Sequence, residues 1–200
     1  MQLIRFFVAL EISESSKSQI EVVQRKLKQT IPQVNLTDPE KFHLTIAFVG
    51  EESGEMKEPL VKVITKAVWG VNPFEVTPAY IDGFPKLHRP HTFWIGVKGD
   101  TDKLFVIRER VKDGLEKLHI PTDERRYVPH IAIGKVNKDF ELKPHQEVEL
   151  EKIVSVHFDP IRIESIKLFE SIPNHGFHSH NTLAEVKLGT KLPDPALSLG

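Results

Sequence analysis

The chain has 200 residues, 40% of them apolar and 28% charged, which excludes a disordered polypeptide and suffices for a buried core. A formal net charge of −1 excludes a nonspecific polyanion coat. The absence of cysteine excludes disulfides, thiolate metal sites and cysteine nucleophiles.

The opening apolar run, residues 3–10, is interrupted by Arg5 and stopped by Glu11. It is too short for a signal core with a cleavage site, and far short of the roughly 20 apolar residues of a membrane span. Residues 5–12 therefore read as a first strand, and the expectation is a soluble cytoplasmic protein without a membrane partner. A helix follows with Ile20, Val23, Leu27 and Ile31 on one face, opened by a capping pattern at Ser16–Gln19. Strand-like FHLTIAFVG at 42–50 comes next, then a helix marked by Leu60, Val63, Ile64, Ala67 and Val68, then a strand at 74–81. Gly83–Pro90 reads as the hinge between two lobes.

The order then repeats. A strand at 92–98 precedes a helix whose apolar stripe, Leu104, Ile107, Val111 and Leu115, lies 84 positions after the first stripe. Asp100-Thr101-Asp102 offers its N-cap. VPHIAIGKV at 128–136 is the second strand, 148–153 a weaker helix and 161–169 the third strand, with a terminal strand at 183–188. A β-α-β-α-β unit used twice predicts two lobes of about 1–83 and 91–170 within one domain of residues 1–188, helices outside. Residues 189–200 are expected to form a flexible tail.

A histidine stands at the same place in each half, His43 in His43-Leu44-Thr45-Ile46 and His130 in His130-Ile131-Ala132-Ile133. Strand alternation puts His43 with Thr45 on one face, His130 with Ala132 on one face, and the leucine and isoleucines opposite. The apolar faces belong under the helices, which leaves the histidine faces to a central groove. Two imidazoles with ordinary pKa near 6.5 form an acid–base pair near neutral pH, one neutral ring accepting a proton and one charged ring donating it. Without a metal, such a pair suits phosphodiester transfer through a ribose 2′-hydroxyl or its cyclic phosphate. Thr45 can donate to a nonbridging phosphate oxygen.

FHLTIAFVGE and YVPHIAIGK resemble the paired His-x-Thr-x motifs of the two-histidine phosphoesterase superfamily, and within it the RNA 2′,3′-cyclic phosphodiesterases, also called 2′-5′ RNA ligases. RFFVALEI, TFWIGV and LFES add to the resemblance, which spans nearly the whole chain to about Leu188. It implies an α+β fold of two pseudo-symmetric lobes whose mainly antiparallel sheets face a central groove. It implies metal-independent opening of a terminal 2′,3′-cyclic phosphate to a 2′-phosphate, with no cofactor. His43 would be the proton donor and His130 the proton acceptor, and an RNA 5′-hydroxyl in place of water would make or break a 2′-5′ linkage. The implied partner is RNA with a cyclic phosphate end or a small cyclic nucleotide; the protein is expected to be a monomer.

Two positions depart from the pattern. Ala132 stands where the second motif has threonine, removing a charge-assisted hydrogen bond worth roughly 1.5–3 kcal/mol. Lys135 stands where arginine is usual; it keeps the charge for phosphate binding but loses the bidentate fork. Its parity matches neither His130 nor Ala132, so a bulge near Gly134 is needed to aim it inward. Tyr127 is a candidate for stacking on a base, with packing as the alternative. Arg5, Lys41, Arg125 and Arg126 are candidates for a positive rim, with a solvated surface as the alternative.

Two further readings compete. Ala132 motivates an RNA-end or nucleotide-binding protein of the same fold with weak or no turnover. His175, His178 and His180 invite a metal-dependent hydrolase. No carboxylate lies among them and the spacing is not that of a helical zinc motif, so an exposed turn is the reading preferred and no metal is assigned.

Overall fold

In the computed structural model, which describes residues 3–153, 157–174 and 177–189, thirteen α-helices and β-strands follow one another. They are β1 (Leu3–Glu11), α1 (Glu14–Thr30), β2 (Asn35–Leu36), β3 (His43–Ser53), α2 (Lys57–Val68), β4 (Phe74–Lys86) and β5 (Arg89–Gly99). Then come α3 (Thr101–Lys117), β6 (His130–Lys135), α4 (Pro144–Ile153), β7 (Ile161–Ile163), β8 (Ser165–Asn174) and β9 (Phe177–Lys187). The tail expected at 189–200 lies, from position 190 on, outside the described residues. No helix among the described residues is long and apolar enough to cross a membrane.

Each half builds its first helix from the predicted stripe. Ile20, Val23 and Leu27 are buried on α1, and Leu104, Ile107, Val111 and Leu115 on α3. Burying each such side chain contributes about 1.5–3 kcal/mol. The start of α1 is three residues earlier than the capping pattern suggested: Ser13 is the N-cap, and its hydroxyl accepts from the Ser16 amide at 3.3 Å. Asp100 flanks α3 without capping it, because its carboxylate takes the Lys103 ammonium at 2.9 Å instead. Thr101 and Lys117 lie 87 positions after Glu14 and Thr30, the same separation as His130 from His43. The apolar stripes, at 84, are displaced by three residues, which on a helix returns to nearly the same face.

The fold is α+β, and its strands form one antiparallel curled sheet in the order β7-β4-β5-β6-β3-β1-β8-β9, with β2 on β6. The two halves meet where β3 pairs with β6 through Leu44 and Ile131. Around that seam the third strand of each sequence half lies in the other half of the sheet. β4 pairs with β5 and β7, while β8 pairs with β1. Gly83–Pro90, expected as a hinge, is instead the end of the β4–β5 hairpin, with Lys86 paired to Arg89. Its prolines stand at residues 85 and 90, on either side of the tip.

Alternation assigns the two faces. Phe6, Val8 and Leu10 of β1, Leu44 and Ile46 of β3, and Ile131 and Ile133 of β6 join the helices in the main core. Phe7, Ala9 and Phe169 form a small separate cluster on the opposite face. That second face carries both histidines.

Candidate active site

The cross-strand register at the seam fixes the site. With Leu44 opposite Ile131 in an antiparallel pair, His43 falls opposite Ala132 and Thr45 opposite His130. All four side chains share the face away from the helices. The structure thus brings together His43, Thr45, His130 and Ala132 as a twofold-related square.

Both imidazoles are held in the same way. His43 Nδ1 lies 2.7 Å from the Lys41 carbonyl oxygen, and His130 Nδ1 lies 2.7 Å from the Val128 carbonyl oxygen. A carbonyl only accepts, so each Nδ1 carries a proton and each neutral ring presents an unprotonated Nε2. Burial pushes the His43 pKa down to about 4, partly opposed by the Lys41 carbonyl and assisted by the charges of His180 and His130. Burial also lowers His130, with the Val128 carbonyl opposing.

The surroundings of the two rings differ. His43 touches Phe7, ring centroids 5.2 Å apart, and His180, 5.1 Å apart and nearly perpendicular; Phe7 and His180 are themselves 4.8 Å apart. Phe7 stacks on Phe169 at 5.1 Å. Glu11 stands directly across from His43 and is ion-paired with Lys167. A cavity of ≈ 300 Å³ opens on this side, walled by Phe7, Phe42, Phe169, His180, Lys17 and Thr182. His130 meets Phe84 at 4.8 Å and Trp94 at 5.6 Å, and these two aromatics stack on each other at 4.8 Å. The Trp94 Nε1 is buried without a partner among the described residues, directly across from Ala132.

Each histidine strand is braced by a polar side chain from the other half. The buried Gln24 of α1 donates to the carbonyls of Ile133 and Thr37, both at 2.7 Å. Tyr127, just ahead of β6, donates its hydroxyl to the Thr45 carbonyl at 3.1 Å. The Tyr127 ring packs edge-on to Phe105 at 5.6 Å with the Arg108 guanidinium 5.9 Å from its centroid, and burial raises its pKa.

Lys135 gains the parity it lacked. The pairing of β5 with β6 shifts register between Phe93 and Trp94, so that Gly134 follows Ala132 on the β6 side. Gly134 then faces the core, where an added Cβ would meet Val34 at 2.7 Å, and Lys135 falls on the groove face. Arg125 is exposed and held by Asp123 at 2.6 Å.

Of the late histidines, His175 lies outside the described residues, and His180 belongs to β9, paired with Ser171 of β8. The exposed turn expected at 175–180 is thus in part a strand, and the terminal strand begins six residues before the predicted 183. The signal that could have found it is the period-two alternation of His178, His180 and Thr182, hidden by its polar composition. Among the described residues no three His, Asp or Glu side chains gather as a metal site. Phe84 and Trp94 were also missed, because packing across strands leaves no local trace.

Comparison with known proteins identifies the family and the fold. The chain is 30% identical over 167 residues to the RNA 2′,3′-cyclic phosphodiesterase of Methanocaldococcus jannaschii, covering 84% of this chain and 91% of that one. It is 27% identical over 170 residues to the RNA 2′,3′-cyclic phosphodiesterase of Thermotoga maritima, covering 84% and 86%. The fold matches the crystal structure of Escherichia coli LigT complexed with 3′-AMP, with TM-score 0.71 and 16% identity over 94% of this chain and 100% of that one. Residues 43–168, which run from the first histidine past the second, match the family model of the 2′-5′ RNA ligase superfamily. The chain belongs to that superfamily, the two-histidine phosphoesterases.

Proposed function

We propose that this protein opens the 2′,3′-cyclic phosphate end of RNA, or of a small cyclic nucleotide, to a 2′-phosphate without a metal. The observation that carries this reading is the pair of twofold-related imidazoles on one sheet face, each with Nδ1 spent on a backbone carbonyl and Nε2 left for the substrate. The names of the relatives at 30% and 27% identity support the substrate class.

Water attacks phosphorus and gives its proton to His130 Nε2. The bond from phosphorus to O3′ breaks, and His43 gives O3′ the proton on its own Nε2. In the unliganded protein burial keeps His43 neutral at pH 7. The anionic phosphate supplies the counter-charge that lets it take up the proton it must donate. Thr45 and Lys135 bind the nonbridging oxygens. An RNA 5′-hydroxyl in the place of water closes a 2′-5′ linkage by the same transfers.

The test is hydrolysis of adenosine 2′,3′-cyclic phosphate in the presence of chelator by wild type, His43→Ala and His130→Ala, with the position of the product phosphate determined. Formation of the 2′-phosphate, lost in both variants, supports the reading. Ala132 favours a second reading, a nucleotide-binding protein with little turnover. Tight binding of adenosine 2′-monophosphate with no hydrolysis by the wild type would select it.

A further inference from the structure

Beside His130 the groove face carries a phenol that none of these roles uses. Tyr80 of β4 pairs with Gly96 of β5, and Gly96 pairs in turn with His130 of β6. Partners across antiparallel strands share a face, so Tyr80, Gly96 and His130 form one row on the histidine side. The Tyr80 ring lies across Gly96. A Cβ added there would stand 2.2 Å from its Cζ and 2.6 Å from its hydroxyl oxygen. Glycine is therefore the residue that lets the phenol reach over β5 toward His130. The ring is steadied edge-on by Trp94 at 5.7 Å. Tyr80 remains 43% exposed, and among the described residues its hydroxyl has no hydrogen-bond partner.

The placement bears on the hydroxyl that the second motif lacks. Ala132 faces Trp94 in the next row, so Gly96, and with it the Tyr80 hydroxyl, lies diagonally across from Ala132. Diagonal neighbours on one face are about 7–8 Å apart. A phosphate seated over Ala132, where a threonine would donate, spans such a gap to a donor about 2.7 Å from one of its oxygens. We propose that the Tyr80 hydroxyl donates to a nonbridging oxygen of the substrate phosphate from the His130 side, in place of the threonine absent at position 132. The assignment rests on the phosphodiesterase reading of the site. It makes β4, far from either motif in sequence, part of the phosphate-binding surface.

The experiment compares wild type, Tyr80→Phe, Ala132→Thr and the double variant on adenosine 2′,3′-cyclic phosphate, with affinity for adenosine 2′-monophosphate measured on the same proteins by calorimetry. Tyr80→Phe is expected to lower kcat/KM about ten- to a hundredfold, the range of one hydrogen bond to a charged group. Its melting temperature is expected to stay unchanged, since the hydroxyl has no hydrogen-bond partner among the described residues to lose. Ala132→Thr is expected to restore most of the loss in the Tyr80→Phe protein while raising the wild type less than about threefold, the non-additivity of two groups serving one phosphate. Tyr80→Phe within twofold of wild type, or an equal gain from Ala132→Thr in both backgrounds, overturns the proposal. Turnover that survives His43→Ala and His130→Ala, or is absent from the wild type, instead overturns the phosphodiesterase reading. The Tyr80 assignment is then decided by adenosine 2′-monophosphate alone: about tenfold weaker binding by Tyr80→Phe sustains it and unchanged binding ends it.

Discussion

The His43 side and the His130 side of the groove are built from the same unit and do different things with it. Both rings lean on a carbonyl two residues upstream at the same 2.7 Å. His43, however, is pressed by Phe7 and by a third histidine from β9, whereas His130 sits against Phe84 and Trp94 with the Tyr80 phenol nearby. Orientation is thus a property of the strand and its two-residue lead-in, which duplication copies. Titration is a property of the neighbours, which come from elements the copies do not share.

Replacing either histidine tests the equivalence most severely. His43→Ala and His130→Ala are each expected to lower kcat about 10²–10⁴-fold, the range of a lost general acid or base. Rate measurements that show a large loss in only one of them would break the pairing.

The difference in burial can be read from stability. His43 has a folded pKa of about 4, below its unfolded value of about 6.5, so the folded protein binds fewer protons. Its contribution is fully present above pH 6.5 and is lost as pH falls toward 4, by about 3 kcal/mol. The depression of His130 acts in the same direction. Urea unfolding at pH 7.5 and at pH 4 is expected to show a smaller drop for His43→Asn than for the wild type, and an equal drop would remove the asymmetry.

The reciprocal braces come next. Gln24→Met removes two hydrogen bonds, one to the Thr37 carbonyl and one to the Ile133 carbonyl, which keeps the Thr37 amide as its other donor, and is expected to cost about 1–3 kcal/mol, with kcat falling through the His130 strand. Tyr127→Phe removes one, to the Thr45 carbonyl, and is expected to cost about 1 kcal/mol. Denaturant midpoints that reverse this order would show that the braces do not carry the load their bond counts suggest. The smallest effect is expected from Lys135→Ala, a KM increase of a few-fold that shrinks in high salt, because an exposed charge on phosphate is screened.

The periodic features were legible in the sequence: the two apolar stripes, the paired motifs, and the alternation that puts histidines on one face and Leu44, Ile46, Ile131 and Ile133 on the other. They are local, set by strand and helix periods. The partners of the third strands were not legible, because pairing between β4 and β5 or β8 and β1 is decided by contacts far apart in the chain. The prolines at 85 and 90 disguised a hairpin as a hinge, and the polar residues 178–182 disguised a strand as a turn. Lys135 lay between these cases: its parity demanded a bulge, and a one-residue register shift on β6 provides the change of face.

The crossing of β4 and β8 into each other's halves has a consequence for what the duplication permits. Cut at the β4–β5 tip, the first piece would hold β1 and β3 without the β8 that flanks them, and β4 without β5 or β7. A half-length ancestor-like chain could assemble this groove only as a symmetric dimer that trades its last strand. In such a dimer every substitution would appear twice, once beside each imidazole. Fusing the copies into one polypeptide frees them to diverge: threonine can stay at 45 while alanine enters at 132, and a ring can be added to one flank alone. An acid and a base made from one kind of residue can then be told apart.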